Sequence, residues 1–137
     1  LYLDVVEGPH TVRYTARPGE YKPLHSSSIG KVMLGALSGD ALAEWLRSHP
    51  LPAITGRTLV DGKRLHRDLD ESRRRGWFMT RGENVEDVTA LAVALSIRDE
   101  VFGLAVAGPS HRMEKRIDDL AARVVAARRR IEEVFRQ

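Results

Sequence analysis

The hydrophobic pattern changes period twice along the chain, and this restricts the fold more than any other feature. Between residues 29 and 75 apolar side chains recur at helical steps. They are Ile29, Val32, Met33, Ala36 and Leu37, then Leu42, Trp45 and Leu46, then Leu65 and Leu69. Ser38-Gly39-Asp40 and the prolines at 50 and 52 separate these stretches, so the spacing predicts three helices. Asp61 is placed to cap the third and Gly76 to stop it. From residue 77 the composition turns to that of strands: a short one over 77–81, then β-rich runs over 88–97 and 101–107 joined through Arg98-Asp99-Glu100 as a hairpin. From Met113 onward Ile117, Leu120, Ala121, Val124, Ile131, Val134 and Phe135 return to steps of three and four. They predict a closing helix of roughly 35 Å at about 1.5 Å per residue.

Residues 1–17 form two apolar-rich runs around Glu7-Gly8-Pro9-His10, which reads as one more hairpin. The expected order is ββ-ααα-βββ-α. Strands joined by short turns, with helices in blocks, point to an α+β fold with an antiparallel sheet flanked by helices rather than a parallel layer. A length of 137 residues suits one domain, and 42% apolar with 30% charged residues supports a packed core.

Several chemistries are excluded at once. The chain has no cysteine, which removes disulfides, thiolate catalysis and cysteine-ligated metals and agrees with a cytoplasmic location. Its net charge of +3 does not by itself imply a nucleic-acid surface. No apolar run approaches the roughly 18 residues of a membrane span, and no stretch has the charged front and apolar middle of a signal peptide, so neither a span nor a signal peptide is expected. The chain begins on the strand-like Leu1-Tyr2-Leu3 without an initiator methionine, so it reads as part of a longer protein.

The most unusual segment runs from Pro23 to Leu34, where Ser26-Ser27-Ser28 precedes a helix. Unpaired amides and the positive dipole end make a helix start receptive to a carboxylate, although a serine there can simply cap the helix. Ser28-Ile29-Gly30-Lys31 also fits the S-x-x-K pattern of serine acyl enzymes, without the companion S-D-N and K-T-G elements. A small serine hydrolase using Ser28 and Lys31 is therefore an alternative. A phosphate loop is not supported, since His25 and Val32 stand where Gly and Ser or Thr are required. The five histidines show no metal-ligand spacing, so neither metal nor cofactor is expected. His25, beside the serines, is the one with a candidate role in ligand contact. Glu83, Glu86 and Asp87 read mainly as loop solvation, and the runs Arg73-Arg74-Arg75 and Arg128-Arg129-Arg130 as solvated helix faces.

An ordered set of segments spans nearly the whole chain: Arg17-Pro18-Gly19, Pro23 through Lys31, Arg57-Thr58-Leu59, Arg73 through Trp77, Glu83, Ala90-Leu91-Ala92-Val93 and Ala107-Gly108-Pro109. Together they resemble the effector-binding domain of IclR-type bacterial transcription regulators. The resemblance implies a GAF-like α+β domain that binds a small organic acid and signals to an N-terminal winged helix-turn-helix, through which alone DNA is bound. It implies a cytoplasmic regulator and not an enzyme, with no cofactor and no membrane partner. It also implies a homodimer or homotetramer, and a domain trimmed at its start, occupying residues 1–137. Carried over by position, the effector cup comprises Thr11 and Tyr14, Ser28 and Ile29, Thr80, Val88 and Ala90, and Ala105 and Ala107. The chain departs from the pattern at Asp87, where the family often has glycine, and in the alanines at 90, 105 and 107. These imply a roomier, apolar cup for an aromatic or branched acid. A GAF-type sensor unconnected with DNA is the third reading.

Overall fold

The computed structural model describes residues 1–11 and 13–137. Its elements are α1 (Ser28–Gly35), α2 (Gly39–Ser48), α3 (Gly62–Arg75), β1 (Phe78–Arg81), β2 (Val88–Ile97), β3 (Glu100–Pro109), a short α4 (Ser110–Met113), a 3₁₀ turn (Glu114–Arg116) and α5 (Ile117–Arg136). The α+β class read from the two period changes is the class observed.

Local chemistry sets the element boundaries. Ser27 caps α1 by accepting the Gly30 N–H at 3.0 Å, Ser38 caps α2 at the Ala41 N–H, and Asp61 caps α3 at the Lys63 N–H. Gly76 ends α3 with φ +92°, the left-handed conformation that glycine adopts without a Cβ penalty. Arg98 and Asp99 both have positive φ, 50° and 66°. This is the two-residue primed turn whose twist matches an antiparallel pair, and the ladder it closes runs from Ile97↔Glu100 to Val88↔Pro109.

The sheet has the order β1-β2-β3, all antiparallel. Its alternating side chains feed two separate cores. On one face Phe78 and Ala92 pack with Val32 and Leu34 of α1, Leu42 of α2 and Leu65 and Leu69 of α3. On the other, Met79 and Leu91 pack with Ile117 and Ala121 of α5. The result is a helix–sheet–helix sandwich. At Gly35 the backbone of α1 comes so close to β1 that a Cβ would lie 2.6 Å from the Phe78 ring.

The amino-terminal hairpin is not formed. Among the described residues of 1–27 there is no strand, and Val12, inside the second expected arm, lies outside the described residues. Leu1, Leu3 and Val6 are 58%, 67% and 92% exposed. With no apolar face to cover, a lone two-stranded ribbon has too little burial to hold its register. The two ends of the segment meet instead through Tyr2, whose N–H donates to Glu20 O at 3.0 Å and whose carbonyl accepts from the Gly19 N–H at 2.7 Å. The closing helix also differs from expectation. The 3₁₀ turn interrupts it, so α5 proper has 20 residues, about 30 Å.

Candidate functional site

Thr80, Ala90 and Ala107 form a single row across the three strands, because Thr80 is in register with Ala90 and Ala90 with Ala107. Val88 and Ala105 lie two residues away on the same strand faces. α1 packs over this face, and its first turn closes a small hollow above the row. The lining comprises Tyr2, Tyr14, Ser27, Ser28, Thr80, Asn84, Val85, Val88, Ala90, Ala105 and Ala107. The floor is apolar, and the polar groups converge from the helix start, β1 and the loop after it.

What these polar groups lack is partners. Ser28 is 4% and Thr80 3% exposed, yet neither hydroxyl has a hydrogen-bond partner among the described residues. The N–H groups of Ser28 and Ile29, the first two of α1, are likewise unpaired, since the cap takes only the third. The two hydroxyls are not sealed in: among the described residues the buried side-chain polar atoms without a partner are Asp68 Oδ2 and Arg128 Nε, whereas Ser28 and Thr80 open onto the hollow. Several such donors around one hollow make it a receptor for an oxygen-rich group. Ser27 is already committed, donating to Pro23 O at 2.7 Å while accepting from Gly30. Asn84 is held by the Ser26 hydroxyl, which donates to its Oδ1 at 3.2 Å. Tyr2 lies beside Tyr14; burial pushes its phenol above the ordinary value, and Tyr14 adds to the effect.

One helical turn beyond Ser28, Lys31 is completely buried. Its Nζ donates to Glu83 Oε1 at 2.8 Å and to Met79 O at 3.1 Å, and lies 2.9 Å from Asp68 Oδ2. Two of the ammonium's donors are thus hydrogen-bonded, and Asp68 adds a charge at ion-pair distance without hydrogen-bond geometry. Glu83 in turn accepts the Arg81 N–H through Oε2 at 2.9 Å, and its carbonyl accepts the Thr58 hydroxyl at 2.7 Å. This network ties α1, which carries Ser28, to the end of β1, which carries Thr80. It also fixes Glu83, which is 8% exposed and holds the walls of the hollow together instead of solvating a loop.

Of the nine positions expected in the cup, the structure brings together seven: Tyr14, Ser28, Thr80, Val88, Ala90, Ala105 and Ala107. Thr11 is exposed and outside this lining, because the described residues of the segment bearing it form no strand over the sheet. Ile29 is also outside this lining; its side chain packs toward Gly103 and a neighbouring hollow. His25 is absent from the lining as well; its Nε2 lies 2.9 Å from Pro52 O, a structural tie. The residues that sequence reasoning missed are Tyr2, Ser27, Asn84 and Val85. Ser27 stood within the serine run, whereas nothing in the local pattern marks the other three. The expected spaciousness is corrected too. The hollow is about 30 Å³, because Tyr2, Tyr14 and Val85 close over the alanine floor. Asp87 has φ +59°, which accounts for the glycine that the resembling pattern places there. Among the described residues no three His, Asp or Glu side chains gather as a metal site, and no helix is long and apolar enough to cross a membrane.

Comparison with known proteins gives this geometry a context. Residues 1–133 match the family described as bacterial transcriptional regulator IclR, C-terminal. The transcriptional repressor IclR of Escherichia coli K12 is 28% identical over 134 residues, covering 96% of this chain and 49% of that protein. The crystal structure of Thermotoga maritima IclR superposes with a TM-score of 0.87 at 24% identity, over 96% of this chain and 55% of that one. An IclR homolog from Microbacterium hydrocarbonoxydans, solved as a complex with 4-hydroxybenzoate, gives a TM-score of 0.79 at 26% identity, over 90% and 50% respectively. The chain therefore spans about half the length of these relatives.

Proposed function

The chain belongs to the IclR family of bacterial transcriptional regulators as its effector-binding domain, and from that premise we propose that its cup senses a small organic acid. The observation that carries this reading is the set of donors without a protein partner at the hollow, the Ser28 and Thr80 hydroxyls and the Ser28 amide at the helix start, above an apolar floor. A carboxylate satisfies them, and the positive end of α1 favours its charge. The homolog bound to 4-hydroxybenzoate supports an acid as the class. Binding alters DNA affinity only through unequal fit to two arrangements of the whole regulator, a coupling of about 1–3 kcal/mol or 5 to 150 fold. DNA contact belongs to a winged helix-turn-helix elsewhere in the protein, and assembly as a homodimer or homotetramer is part of the same reading.

A hydrolase is disfavoured by a specific observation. The S-x-x-K lysine would have to act as a base toward Ser28, yet its ammonium donates to Glu83 and Met79 oxygens and is ion-paired with Asp68 and Glu83, with no bond to the Ser28 hydroxyl. The chain acts by binding and not by catalysis.

The test is a thermal-shift screen of the chain against mono- and dicarboxylic acids, repeated with Ser28→Ala. At 100 times its dissociation constant an acid stabilises by about 2.7 kcal/mol. Loss of one charge-assisted hydrogen bond, about 1.5–3 kcal/mol, weakens binding by about 10-fold or more in the variant. Unchanged affinity in Ser28→Ala would reduce the serine to a helix residue and overturn the reading.

A further inference from the structure

We propose that Tyr14 is the partition that sets how large an acid this chain accepts, an inference that rests on the cup being the acid site. Two hollows meet at this residue. The inner cup, about 30 Å³, holds the donors of α1. The outer hollow, about 660 Å³, lies between the 6–14 segment, the edge of β3 and the corner leading into α5. Tyr14 and Ala107 line both.

The two shared residues are not equivalent. Ala107 is fixed in the β2–β3 ladder opposite Ala90, and its single methyl can neither open nor close a passage. Tyr14 sits on backbone outside any strand or helix, and side chains hold its ring. Lys22 Nζ stands 6.0 Å from the ring centroid, and Glu20 braces Lys22 at 3.0 Å. Tyr2 lines the same cup beside it. These are exchangeable contacts on a half-buried group.

With the ring in place, the inner cup of about 30 Å³ matches the share of one water in the liquid, so it receives little more than the oxygens of a carboxylate. Turned aside, the ring joins the cup to a bed formed by Val106, Met113 and Leu120, edged by Lys115. Ligand sites for molecules of aromatic size run to roughly 300–1,000 Å³, which the joined space reaches and the cup alone does not. A compact acid therefore needs only a small shift of the ring, and an acid with an aromatic body needs it displaced. If the displaced state holds about 0.1–10% of molecules, it lowers apparent affinity for the larger acid by about 10 to 1,000 fold. Removing the ring removes that penalty and leaves the anchor at Ser28 untouched.

The experiment is calorimetric titration of the 137-residue chain with pyruvate and with 4-hydroxybenzoate at millimolar concentrations. Wild type, Tyr14→Ala, Tyr14→Leu and Tyr14→Phe are compared. The expected result is a shift of the affinity ratio toward 4-hydroxybenzoate by about 10-fold or more in the alanine and leucine variants. Tyr14→Phe keeps the ring and stays within about 3-fold of wild type. Binding of either acid with the same ratio in all four proteins would overturn the partition and leave the cup standing as the acid site. No binding of either acid to any of the four would instead defeat the cup reading on which the partition rests. The leucine variant guards against a folding defect peculiar to alanine.

Discussion

Replacing Lys31 with methionine keeps the length of a buried side chain and deletes its charge. Glu83, with 10% of its side chain exposed, and Asp68, with 30%, then face each other without a cation. Removing one partner of a buried pair costs about 3–5 kcal/mol. The low end applies here, because the more exposed Asp68 recovers solvation. Its Oδ2 also lies at 2.9 Å without hydrogen-bond geometry, so Glu83 is the principal partner. For 137 residues the unfolding entropy is about 0.29 kcal/mol per kelvin, so about 3 kcal/mol lowers Tm by about 10 °C. Thermal unfolding followed by circular dichroism measures this directly. Lys31→Met combined with Glu83→Gln should lose less than the sum of the two single changes, since the second removes the charge that the first strands. A fall of less than about 3 °C in Lys31→Met would equate the buried network with an ordinary surface pair and refute its role in holding the cup walls together.

Two further outcomes follow from close approaches and from charge. Gly35→Ala drives a Cβ to 2.6 Å from the Phe78 ring, so overpacking should cost about 1–3 kcal/mol in a urea titration, whereas Gly39→Ala, with nothing within 4 Å, should not. Asn84→Asp keeps an oxygen for the Ser26 hydroxyl but puts a like charge in the lining, and acid affinity by calorimetry should fall by about 10-fold or more.

Much of this fold is written locally. Asp61 and Gly76 bracket α3 by their side chains and backbone freedom alone, and the 88–97 run needs only its own composition to declare a strand. The amino-terminal segment carries the same kind of signal but forms no strand among its described residues, because whether a ribbon holds depends on a face to cover, which no local window contains. The site divides in the same way. Ser28 is legible from the rule for helix starts, and the pairs 88/90 and 105/107 follow from strand alternation. Asn84 and Val85 enter the lining only through the turn after β1, and Tyr2 only through its bonds to Gly19 and Glu20. The charge on Glu83 looked like loop solvation because its partner Lys31 stands 52 residues away. Cup size was misjudged for a related reason: small residues widen a hollow only if nothing folds over them, and Tyr2 and Tyr14 do.

The most direct measurement is a crystal structure of the chain with a carboxylic acid selected by thermal shift. A carboxylate oxygen within about 2.7–3.2 Å of the Ser28 hydroxyl and of an α1 amide is the predicted result. An acid seated on another surface, with the Ser28 and Thr80 hydroxyls still without partners, would contradict it.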